Sequence, residues 1–303
     1  MKMPIHASMT ERIWQYFLLV FCMVAFVFLI VPLLIIVPLS FNAEPYFTFT
    51  DRMLAFDPKG YSLRWYDQLL TFGMAEADAP RNLSWWADVW QNATWVRAAK
   101  NSIMIGGAAT LIATTLGTLA ALGLSRPETP YKGAIMAILI SPMIVPVIIT
   151  ATGLFFFYSR IGLAQSYVGI LLAHALLGIP FVVITVTATL AGFDPSLKKA
   201  AASMGASPLR TFWMVILPLI LPGVISGALF AFVTSFDEVV VVLFVGGYDQ
   251  QTIPRQMFNG MREQISPAIL AAASILVAVS ILLLITAELL RRRSERMRGV
   301  ASL

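Results

Sequence analysis

This chain has little with which to do chemistry. Its 303 residues include one cysteine, Cys22, and two histidines, His6 and His174. One thiol excludes an intrachain disulfide and any metal site built on cysteines. Two histidines more than 160 positions apart, without thiols beside them, cannot assemble the clustered ligands or acid–base pairs of a membrane enzyme. No Gly-x-x-x-x-Gly-Lys-[Ser/Thr] phosphate loop occurs, so the chain has no nucleotide-hydrolysing motif of its own. Charge is equally scarce. Asp, Glu, Lys and Arg make up 12% of the residues, about half of what a soluble domain carries. So few charges cannot cover a water-facing surface. The formal charge of +5 sits in short blocks between apolar runs, which argues for membrane topology and against nucleic acid as a partner.

Apolar residues dominate instead, at 58% of the chain. A membrane helix needs roughly 20 apolar residues at about 1.5 Å rise. Six segments qualify, near residues 13–41, 101–124, 133–157, 166–191, 214–236 and 267–290. The fold class expected is therefore all-α integral membrane. The run Val239–Val245 is too short to span and reads as a re-entrant or interfacial piece that other protein must bury. Arg126 and Lys132 in one short loop, and Arg291, Arg292, Arg293, Arg296 and Arg298 in the tail, set the orientation. By the positive-inside rule both termini are cytoplasmic. The chain then divides into a tail at 1–12, a first membrane helix at 13–41, an external segment at 42–96, a core at 97–292 and a basic tail at 293–303. Trp85, Trp86, Trp90 and Trp95 suit short amphipathic helices at the lipid interface, with a docking surface for an external protein as the alternative.

Between the fourth and fifth segments lies a loop longer than a connection requires. Asp194 can cap a helix, with Pro195 at its first position. Lysines and alanines continue it, Gly205 can stop it in a left-handed conformation, and Ser207-Pro208 starts a second helix. A rigid, exposed corner on the cytoplasmic side suits a lever that another protein pushes.

Lys199-Ala200-Ala201, three residues, Gly205, nine residues, then Val215-Ile216-Leu217-Pro218 resembles the Glu-Ala-Ala coupling-loop motif of permeases in ATP-binding-cassette importers. Lys199 stands where the motif has glutamate, and Val215 where it has isoleucine. Asn101-Ser102, Ser141-Pro142, Ala173-His174, Ile179-Pro180-Phe181-Val182-Val183 and Ser235-Phe236-Asp237-Glu238-Val239-Val240-Val241 are similar to the spermidine/putrescine branch of that family. The resemblance covers about residues 97–292. It implies a type I, MetI-like permease fold with a cytoplasmic coupling helix. It also implies a place in a bacterial inner membrane and no cofactor, with ATP bound by a cytosolic ATPase dimer. A periplasmic binding protein would deliver a small solute, and a second, homologous permease would complete the pathway. Coupling would fall to Asp194, Lys199, Ala200, Ala201, Gly205, Leu217 and Pro218. A lysine cannot accept the charge-assisted bond expected of the glutamate. Either the ATPase carries a compensating acid, or small Ala200, Ala201 and Gly205 set the fit, the option we favour.

Charges inside the bilayer are functional suspects. Asp237 and Glu238, at the outer end of the fifth segment, are expected either to be ordinary interfacial acids or to meet a cationic substrate. Mid-span His174 is expected to bond a neighbouring helix, with a proton relay as the alternative, and His174 and Ser141 are further candidates for the substrate pathway. Thr110, Thr114 and Thr118 form a stripe suited to helix packing, with a pore lining as the alternative. The rival function is a self-sufficient secondary transporter, which would usually show internal repeats or buried ion-coupling acids. Iron, opines and amino-acid derivatives stay open beside a polyamine.

Overall fold

The computed structural model describes residues 9–194, 196–263 and 266–297. Among these the elements are helical: α1 (Met9–Leu39), α2 (Asp51–Leu54), α3 (Arg64–Thr71), α4 (Leu83–Asn92), α5 (Thr94–Leu124), α6 (Lys132–Ile144), α7 (Val147–Ile161), α8 (Tyr167–Ala191), α9 (Ser196–Ser203), α10 (Pro208–Thr211), α11 (Leu217–Asp237), α12 (Val240–Val245), α13 (Ile253–Glu263) and α14 (Ala268–Met297). A π-helical turn, Phe212–Ile216, joins α10 to α11. The chain forms two compact units, residues 73–259 and the two flanking stretches 1–72 and 260–303.

Among the described residues four helical stretches are long and apolar enough to cross a membrane: Met9–Leu39, Thr94–Leu124, Tyr167–Ala191 and Pro208–Asp237. The third sequence segment differs from its expectation of one span. It is broken into α6 and α7, bent by 101°. The reason is local. Pro146 crowds the residue before it out of the helical region, and Val145 is extended at φ −72°, ψ 132°. Counted as one span, the pair makes five. The sixth segment falls on α14, a 30-residue helix that is apolar over Ala268–Leu282 among the described residues.

Residues 73–259 are built on α5, α8 and α11, packed through small side chains. Ala109, Ala113, Gly117 and Ala121 line α5, and Gly223, Gly227, Ala231 and Ser235 line α11 at four-residue spacing. Such spacing puts small groups on one helix face, which lets helices without a hydrophobic driving force approach closely. A Cβ on Gly227 would lie 2.8 Å from the Val182 Cα, and one on Gly117 would lie 2.7 Å from the Val182 Cβ. The hydroxyls of Thr110, Thr114 and Thr118 are buried without hydrogen-bond partners, so the stripe packs by shape and adds no interhelical bond. Val241, Val242 and Val245 of α12 are fully buried with Ile170, Ala173 and Tyr158, as a short apolar piece requires.

In the other unit the start of the segment expected to be external is fixed by fully buried Asn42. Its Nδ2 donates to the carbonyls of Tyr46 and Thr48, and its own carbonyl accepts from the Trp65 indole at 2.7 Å. The short helices α2 and α3 follow, and α4 in the core unit continues the series expected over 42–96. α4 buries Trp85 and Val89 and exposes Leu83, Trp86 and Trp90.

Candidate functional site

One end of the three-helix core carries the elbow that the sequence suggests as a lever. Asp194 Oδ1 accepts from the Ser196 N–H at 2.8 Å, and its Oδ2 accepts from the Ser196 hydroxyl at 2.6 Å. These bonds, the hydroxyl foremost, hold the Asp194 carboxyl below its ordinary range. Pro195 lies outside the described residues. α9 ends in a Schellman motif: the Ala206 N–H reaches the Ala201 carbonyl at 3.0 Å, and the Gly205 N–H reaches Ala202 at 2.9 Å. Gly205 sits at φ +76°, with nothing within 4 Å of where a Cβ would be. Ser207 Oγ then caps α10 through the Arg210 N–H, with Pro208 at its first position. Thus the punctuation read from the sequence forms the corner.

Lys199, Ala200 and Gly205 are exposed, and Ala201 is half-buried. Met204 and Leu209 are exposed at 88% and 69%, an apolar offering that water does not favour. Leu217 packs against the α5–α8–α11 core, while Pro218 stays exposed at the start of α11. The π turn between corner and core was not anticipated. Its i→i+5 bond runs from the Leu217 N–H to the Phe212 carbonyl. It adds a residue to the connection, and such turns often mark functional positions.

The opposite end holds the acids. Asp237 ends α11 and is exposed, but Glu238 is occupied: its Oε1 accepts from the Val241 N–H at 2.9 Å and so caps α12. The two carboxylates are neighbours in sequence with different surroundings. His174 is 1% exposed, and its Nδ1 meets Ser235 Oγ on α11 at 2.8 Å, a bond to a neighbouring helix of the expected kind. Ser141 is half-buried and donates to the Ile138 carbonyl of its own helix. The structure therefore brings the elbow residues together, brings Asp237 and Glu238 to the far end, sets His174 against Ser235 two residues before Asp237, and keeps Ser141 on α6.

Asn101-Ser102 carried a resemblance but no role in the sequence. Asn101 Nδ2 donates to the carbonyls of Asp249 at 2.7 Å and Gln251 at 2.9 Å. The Tyr167 hydroxyl reaches Asn101 Oδ1 at 3.1 Å and the Asp249 carbonyl at 2.9 Å. Ser102 Oγ accepts from the Ile253 N–H at 2.9 Å. Arg255 closes the C-terminus of α12, one nitrogen donating to Val242, Gly246 and Gly247 carbonyls at 3.2, 3.1 and 2.8 Å. Burial lowers the affinity of its guanidinium for the proton. A cation is well placed there, because a helix C-terminus is its negative end.

Residues 113–296 match the family of binding-protein-dependent transport system inner membrane components. The spermidine/putrescine transport system permease protein PotC of Haemophilus influenzae is 31% identical over 275 residues, covering 91% of this chain and 96% of that protein. The putrescine transport system permease protein PotI of Escherichia coli K12 is 28% identical over 288 residues, covering 92% of each. A chain in the crystal structure of a bacterial ABC transporter for import of the acidic polysaccharide alginate superposes with a TM-score of 0.65 at 15% identity, over 95% of this chain and 99% of that one. At that identity the likeness speaks for the fold alone. The chain belongs to the binding-protein-dependent transport system inner membrane component family, as a multi-pass permease subunit of an ATP-binding-cassette importer and not an enzyme.

Proposed function

We propose that this permease forms half of a translocation pathway for a polyamine, spermidine or putrescine, in a bacterial inner membrane. Two curated relatives that it matches over nine-tenths of its length carry those substrates in their names. The chemistry agrees. A polyammonium leaving water needs compensating negative charge, and Asp237 is an exposed carboxylate without a hydrogen-bond partner among the described residues. We assign substrate contact to Asp237. The Glu238 carboxylate serves α12, and His174 and Ser141 bond within the bundle.

The observation that carries the coupling assignment is the corner at Gly205. Asp194, Lys199, Ala200, Ala201 and Gly205 form an exposed, doubly capped elbow, and Leu217 and Pro218 open the helix that continues it into the core. We assign it to the cytoplasm, with both termini, and to a cleft in a separate ATPase dimer. Small Ala200 and Gly205 and exposed Met204 then set the fit, so the Lys199 charge is dispensable. Closure of the ATPases on ATP would push the elbow and tilt α11 together with α5 and α8. A periplasmic binding protein would load the far end, and a second, different permease would supply the other half.

The test is reconstitution of this chain with its ATPase, second permease and binding protein in proteoliposomes. ATP-dependent accumulation of labelled spermidine or putrescine is expected, and a hundredfold excess of an amino acid, an opine or ferric ion should not compete. Accumulation of one of those competitors without polyamine uptake would overturn the substrate assignment.

A further inference from the structure

The segment Gly246–Thr252 has no regular structure, yet it sits where α12, itself buried, must be held. Irregular backbone in a membrane protein needs its carbonyls closed by other groups, since lipid offers none. Here three side chains, Asn101, Tyr167 and Arg255, do so from three elements. Asn101 on α5 is 5% exposed and spends both amide protons on the carbonyls of Asp249 and Gln251, while its oxygen accepts from Tyr167 at the start of α8. Ser102 takes the Ile253 N–H, and Arg255 takes three carbonyls at the other side of the segment. Gly246 makes room for this: a Cβ there would stand 3.0 Å from the Arg255 nitrogen and 2.7 Å from the Val242 carbonyl. The Gln165 N–H adds a bond to Val245 at 2.8 Å.

We infer that Asn101, with Tyr167, is a positioning residue for transport: it fastens the 246–252 segment to α5 and α8, so that α12 travels with the three-helix core. This rests on the transport reading above. The lever attaches to one end of that core and the strap to the other, separated by the 25 residues of α8, roughly 37 Å at a helical rise. A close-packed core moves as a body. Without the clamp, α12 would keep its buried valine contacts with α8, but the 246–252 segment would lose its tie to α5, and motion begun at Gly205 would reach that segment less directly. Only an amide side chain of this length serves. Asn101→Asp would set a carboxylate against two carbonyls, and Asn101→Leu would leave the Gln251 carbonyl unpaired and the Asp249 carbonyl with the Tyr167 hydroxyl alone.

A cross-link tests it. In a Cys22→Ser background of the full reconstituted complex, Asn101→Cys and Gln251→Cys are introduced together, and thiol titration follows oxidation. Reduced, the variant should hydrolyse ATP yet accumulate roughly tenfold less labelled spermidine per ATP, as two hydrogen bonds are gone. Oxidised, the same sample should return to within about twofold of wild type, because a covalent tie replaces the amide. A structural lesion would not be repaired by an oxidant. Tyr167→Phe, which removes only a hydroxyl, should lower substrate moved per ATP about fivefold with KM unchanged. Arrest of transport on cross-linking would mean that the strap moves against α5. Wild-type coupling in Tyr167→Phe would mean that the clamp is idle. Either result overturns the inference. A wild-type complex that accumulates no polyamine would count against the substrate reading instead.

Discussion

Substitution of Gly205 separates two reasons why a glycine should stand at the elbow. The first is backbone. At φ +76° a side chain with a Cβ costs about 1–2 kcal/mol, although asparagine visits this region with less penalty. The second is docking: a partner surface that closes on the elbow leaves no room. Within the chain itself there is no obstacle, because nothing lies within 4 Å of the added carbon. Backbone alone therefore bounds the effect. Gly205→Ala should reduce the population of the competent elbow by a factor of about 5–30, and Gly205→Asn should do less harm than alanine. Docking reverses that order, since asparagine is larger, and makes Gly205→Asp the worst of the three, with uptake abolished and membrane insertion intact. Labelled-spermidine uptake and capture of the ATPase on the purified permease should be measured for all three. We expect Gly > Ala > Asn > Asp in both assays, with the aspartate loss exceeding the backbone bound. Transport by Gly205→Asp at the wild-type rate would refute the lever.

Three further outcomes follow from the packing and the caps. Gly227→Val should destabilise the core by about 1–3 kcal/mol, because its side chain must enter the space of the Val182 backbone; thermal unfolding in detergent measures this. Asp194 is held below the ordinary carboxylate range, so its cap is complete above that range and is lost as pH falls through its folded value. A spin label at Ala202 should accordingly stay immobile near neutral pH and loosen on acidification. Asp194→Asn should remove that dependence while keeping the cap. Asp237→Asn should raise the KM for spermidine with assembly unchanged, whereas Glu238→Gln, whose oxygen can still accept from Val241, should leave uptake near wild type.

The elbow was legible because every signal in it is local. Asp194 bonds two residues on, Ser207 three residues on, and the Gly205 corner closes on Ala201 and Ala202. The break at Val145-Pro146 is also local, yet hydropathy averages across it, so an apolar count reads one span where the backbone turns by 101°. Glu238 shows the opposite error of emphasis. Beside Asp237 it reads as half of an acidic pair, while its actual partner is the N–H three residues downstream. The π turn at Phe212–Ile216 has no residue that demands it.

The clamp was beyond reach for a different reason. Asn101 and its acceptors are separated by 148 and 150 positions, and the acceptors are backbone carbonyls, which no side-chain pattern announces. Hydrophobic periodicity fixes which helices exist, and small-residue spacing fixes which faces meet, but neither specifies where an irregular segment finds its hydrogen bonds. In a chain with 12% charged residues those bonds fall to the few polar side chains that are buried, such as Asn101 and Ser102 at 5% and 2% exposure. Buried polar residues are costly unless satisfied. Their presence near the end of an apolar helix is thus a readable sign that an irregular strand of backbone lies against them. Asn42 makes the same case in the other unit, closing carbonyls at Tyr46 and Thr48 that no helix or strand would satisfy. The proposed function asks one end to be stiff where a motor pushes and the other to be shaped where a solute enters. The first can be written in neighbouring residues, but the second requires residues far apart to agree.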